Sequence, residues 1–138
     1  MTATTITSAT TGTDSFLRFA MRLDAVITGL MGIAGAALAP RIAELSGTTP
    51  AFEYGMAAFF IAYGALVLGL ARMKHVRIPG IWVIGGNVLY TVASVIFVLA
   101  GVFPLTTTGI VLTLAAGVYT LVMADLQYVG LRRMRNRV

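Results

Sequence analysis

The sequence predicts an all-α fold, a transmembrane four-helix bundle, N-in/C-in, and three observations predict it. Of the 138 residues, 58% are hydrophobic and only 11% are charged, where an ordinary soluble domain carries about 25% charged residues. Four apolar segments nearly exhaust the chain, each close to the roughly 20 residues that cross a hydrocarbon core. The basic residues sit on alternate connections: two in the flank before the first segment, one after it, three after the second, none after the third and four in the C-terminal tail. The positive-inside rule then puts both termini in the cytoplasm, and the expected location is a bacterial plasma membrane. Nothing remains over for a soluble domain.

Residues 1–15 are rich in threonine and lack a basic residue, so they read as a disordered tail rather than a signal peptide. A four-helix transmembrane domain is expected over 16–130, with spans at about 19–40, 51–71, 78–102 and 107–130, and a basic tail over 131–138. The first span follows Arg18 and Arg22 and holds Asp24 just inside the membrane. Ala25, Gly29, Gly32 and Ala36 recur at steps of four and three along it, a stripe that lets helices approach closely. Pro40 is the expected end of this span.

The second span repeats the device in Gly55, Ala58, Ala62, Ala65 and Gly69. Both stripes are expected to face protein rather than lipid. The third carries Trp82 as an interface anchor and a short polar stripe of Asn87, Thr91 and Ser94. The fourth carries Thr113, Thr120, Asp125 and Gln127.

These polar residues fall at one level. At 1.5 Å per residue, Asn87 lies roughly 12 Å in from Pro79 and Asp125 roughly 10 Å in from Arg132. Asp24, Asn87 and Asp125, with Arg22 nearby and Tyr90, Gln127 and Tyr128 within reach, form the candidate intramembrane polar cluster. It reads either as interhelical hydrogen bonding, with Arg18 or Arg22 neutralising an acid, or as a protonatable site. An intramembrane acid is costly unless it is satisfied or used.

Other chemistry is poorly supplied. There is no cysteine, which removes thiolate catalysis and iron–sulfur ligation. The single histidine, His75, cannot furnish paired haem ligands or a multi-histidine metal site. No cofactor and no catalytic constellation is expected, and the seven methionines read as gap-filling. The net charge of +5 flanks the apolar segments, so it points to the lipid bilayer and not to nucleic acid.

The pattern Leu-Arg-x-x-x-Arg-Leu-Asp-Ala-Val-x-Thr-Gly over 17–29, the Gly86-Asn87-x-Leu of the third span and the arginine-rich end resemble small four-span integral membrane proteins of actinobacteria. The resemblance covers roughly 16–135 and implies a topology but no activity. The leading expectation is a non-catalytic accessory subunit or scaffold that packs as a homo-oligomer or against a larger membrane complex. The alternative is a small proton- or cation-coupled transporter or flippase that uses Asp24 and Asp125.

Overall fold

The computed structural model describes residues 2–136, with side chains over 14–134. It is all helical: α1 (Thr2–Ser46), α2 (Pro50–Leu70), α3 (Arg77–Ala100) and α4 (Thr107–Asn136). Each contains a stretch long and apolar enough to cross a membrane, over Asp14–Ser46, Pro50–Leu70, Arg77–Ala100 and Thr107–Met134. That is the pattern of a multi-pass membrane protein. The expected disordered tail lies almost entirely outside the residues whose side chains are described.

Local sequence sets the ends. Thr49 caps α2 by accepting from the Phe52 amide at 3.2 Å, with Pro50 next, where a missing amide proton costs nothing. The Arg18 guanidinium, anchored to Asp14 at 3.0 Å, donates to the carbonyls of Ala71, Met73 and Lys74 beyond the other end of α2. These carbonyls have no intrahelical partner. Gly47, at φ 82°, turns the chain after α1, and a side chain there would strike the Pro104 carbonyl. Thr106 caps α4 through the Gly109 amide and also bonds the Leu45 carbonyl. The two loops at this end are thereby joined.

Pro40 does not end the first helix, which continues to Ser46. Proline removes one amide donor and crowds the carbonyl four residues back. Transmembrane helices tolerate both where neighbouring groups compensate.

Helix α1 packs against α2 on one side and α4 on the other, and α3 packs against α4. The α1–α2 contact is close because small residues face each other. A Cβ on Gly64 would lie 2.7 Å from the Ala25 carbonyl and 3.0 Å from the Gly29 Cα, and one on Gly32 would lie 2.9 Å from the Ala57 carbonyl. Gly29 and Gly32 thus sit at the contact. The second expected stripe needs correction: Gly55, Ala58, Ala62, Ala65 and Gly69 are all exposed. The buried stripe of α2 is Ala57, Gly64 and Val67 instead, continued by Ala71 at its C-terminal cap.

The apolar core of Leu17, Met21, Ala25, Val67, Ala71, Val76 and Val83 lies at the basic end of the bundle. Toward the other end, α2 and α3 meet chiefly through rings. Phe52 stacks on Phe97 at 5.4 Å, and Phe60 tilts against Tyr90 at 5.8 Å. Large apolar side chains such as Leu30, Trp82, Leu89 and Leu99 point outward, as bilayer-facing residues do.

Candidate functional site

Asp24 is fully buried, and side chains from all four helices bond it. Its Oδ2 accepts from the Asn87 amide of α3 at 2.8 Å, the Gln127 amide of α4 at 2.9 Å and the Tyr63 hydroxyl of α2 at 3.5 Å. Its Oδ1 accepts from Tyr119 of α4 and from Thr28, one turn along α1, each at 3.1 Å. The second Asn87 amide proton goes to Gln127 Oε1 at 3.1 Å, closing a triangle of Asp24, Asn87 and Gln127. An ionised carboxylate only accepts. A ring of neutral donors is therefore the environment that lowers its burial cost without a cation.

The structure brings together two of the four residues of the expected cluster, Asp24 and Asn87, and parts the others. Arg22 and Asp125 are exposed, and among the described residues the ion pairs are Arg18–Asp14 and Arg41–Glu44. The reason is helical geometry. Arg22 stands two residues before Asp24, and Asp125 two before Gln127, roughly 200° around the helix in each case. Only one member of such a pair can face the interior. Tyr128 is also exposed, with Arg132 over its ring. Tyr90 stands beside the cluster without bonding to Asp24.

Thr28, Tyr63 and Tyr119 were not legible as partners. The four-residue step from Asp24 to Thr28 and the eight-residue step from Tyr119 to Gln127 are helical repeats that could have flagged two of them. Tyr63 has no polar neighbour at helical spacing on its own face. Below the cluster in sequence, Thr91 and Thr120 share a hydroxyl contact at 2.8 Å and both bond the Gly117 carbonyl. The polar stripe of α3 therefore faces α4.

Above Asp24 lies a cavity of about 290 Å³, and Thr28, Tyr63, Asn87 and Tyr119 line it. Four of the five groups that bond the carboxylate are thus also the polar floor of a space. Its walls include Phe59, Phe60, Tyr90 and Leu112. A second cavity of about 510 Å³ shares Met31, Phe60, Tyr90 and Leu112 with the first and extends to Phe52, Thr48 and Glu53. Together they form a groove behind the aromatic rings of α2 and α3. At its far end Glu53 accepts from Thr48 at 2.6 Å. Among the described residues no cluster of His, Cys, Asp and Glu could hold a metal ion. No protein-family model, curated protein or solved structure matches the chain.

Proposed function

We propose that the chain is a small multi-pass membrane protein that binds a ligand drawn from the bilayer, in the manner of a transporter or carrier. One observation carries this reading: four of the five side chains that bond the buried Asp24 carboxylate are also the floor of the cavity. An occupant touching Thr28, Tyr63, Asn87 or Tyr119 would disturb the hydrogen bonds of a buried charge. Occupancy and the hydrogen bonding of the carboxylate are then coupled. Asp24 serves this role alone, because Asp125 lies on the outer face of α4.

Native mass spectrometry of protein extracted in mild detergent tests the proposal. A small-molecule adduct at one per chain is expected, and Ala116→Phe should abolish it, since Ala116 lines the cavity without bonding Asp24. An adduct-free protein that Ala116→Phe merely stabilises would make the cavity a packing gap and end this reading.

A second reading, the non-catalytic subunit or scaffold, is favoured by the α2 stripe. Gly55, Ala58, Ala62, Ala65 and Gly69 form a smooth exposed track, the surface on which a second membrane helix packs closely. The chain has no cysteine, so Ala62→Cys creates a unique thiol. Disulfide-linked dimers in native membranes are the outcome expected if copies pack through this face, and their absence counts against a homo-oligomer. In either reading both termini are cytoplasmic in a bacterial plasma membrane, because nine of the ten Lys and Arg residues fall in the N-terminal flank, the second connection and the C-terminal tail of the sequence.

A further inference from the structure

We propose that the cavity above Asp24 takes an organic ammonium ion, a positively charged nitrogen bearing apolar substituents. This rests on the reading of the cavity as a ligand site and names the ligand class.

Three features select that chemistry. Five aromatic rings, those of Phe59, Phe60, Tyr63, Tyr90 and Tyr119, line one cavity of about 290 Å³. Ring faces are the negative end of the aromatic quadrupole, and grouped rings are how proteins hold alkylated ammonium groups. The floor is backed by an acid: Asp24 is fully buried, lies one hydrogen bond behind four lining residues, and pairs with no cation among the described residues. No Lys, Arg or His lines either cavity, although the chain as a whole carries +5. Glu53 extends the same sign to the far end of the groove.

The competing ligand classes fit less well. A carboxylate or phosphate would enter a site whose charges repel it. A divalent metal ion favours several carboxylate and carbonyl oxygens, whereas no carboxylate lines this cavity and most of its wall is rings and aliphatic side chains. A plain hydrocarbon would leave the buried charge unused. An ammonium carrying apolar groups places charge against the floor and rings and hydrocarbon against the remaining walls. The cavity stands at the small end of ligand sites, roughly 300 to 1,000 Å³, which suits a compact cation.

The test is equilibrium dialysis of the full chain in an uncharged maltoside detergent, using radiolabelled benzyltrimethylammonium as probe and neopentylbenzene, its uncharged carbon isostere, as competitor. Saturable binding at one site is expected, with no displacement by an equal concentration of the isostere. Phe60→Leu and Tyr90→Leu should each weaken it about three- to tenfold, and Asp24→Asn more than tenfold with helicity retained. Should Asp24→Asn fail to fold, the two ring variants and the isostere still decide. Displacement by the isostere as effective as by the cation, or ring variants that bind as the parent does, would overturn the ammonium assignment and leave a general apolar ligand site standing. If neither compound binds and Ala116→Phe changes nothing but stability, the ligand-site reading falls with it.

Discussion

Donors meet Asp24 at both carboxylate oxygens, so its two simplest replacements do different things. Asparagine keeps one oxygen for the amides of Asn87 and Gln127 and turns its NH2 toward Thr28 and Tyr119, whose hydroxyls can accept. Asp24→Asn should cost about 1 kcal/mol, the scale of interhelical hydrogen bonds in membranes. Leucine leaves both amides without their acceptor, at about 1–3 kcal/mol for each buried group. Reversible unfolding in mixed micelles, read by circular dichroism, should therefore rank Asp24→Leu well below Asp24→Asn. Equal stability of the two would mean that the ring of donors does not hold the helices. Stability also separates role from structure: a carboxylate kept for its charge loses ligand binding as asparagine while the bundle survives.

Between elements, the α1–α2 contact depends on atoms that cannot step aside. A side chain on Gly64 would meet the Ala25 carbonyl and the Gly29 backbone, so Gly64→Leu forces the helices apart. The expected loss is about 1–3 kcal/mol or more, as for overpacked sites generally. Ala62→Leu adds the same bulk to an exposed position and should change monomer stability by no more than about 0.5 kcal/mol. Equal damage from both would show that the outer stripe is buried in the folded protein. The Arg18 guanidinium works at the same scale, tying the α1 basic end to the carbonyls after α2 and so fixing the register of the two helices.

Across the whole molecule, the antiparallel order puts the basic flank, the loop after α2 and the tail of α4 at one end. Single thiols report on this directly. In intact cells a membrane-impermeant maleimide should label Thr49→Cys, and His75→Cys only after permeabilisation. The reverse pattern would invert the orientation. At this scale the groove is also defined, because α2 and α3 each pack on the central pair and meet one another mostly through Phe52, Phe60, Tyr90 and Phe97.

The sequence by itself determined the class and the number of helices, and it singled out Asp24 as an acid inside an apolar segment. Apolar length and charge placement answer to the bilayer, and every residue feels the bilayer without a neighbour's help. It also marked the polar stripe of Asn87, Thr91 and Ser94, since helical spacing is a local property. It left open which small-residue track of α2 is inside. Gly55, Ala62 and Gly69 recur at steps of seven, and so do Ala57, Gly64 and Ala71. Two residues of offset put these tracks on nearly opposite faces, and periodicity weighs them alike. Only packing against α1 chose between them. The same holds for Arg22 against Asp24 and Asp125 against Gln127. Tyr63 and the cavity belong to the tertiary structure alone, because they arise where side chains from separate helices converge, and that convergence has no spacing along the chain.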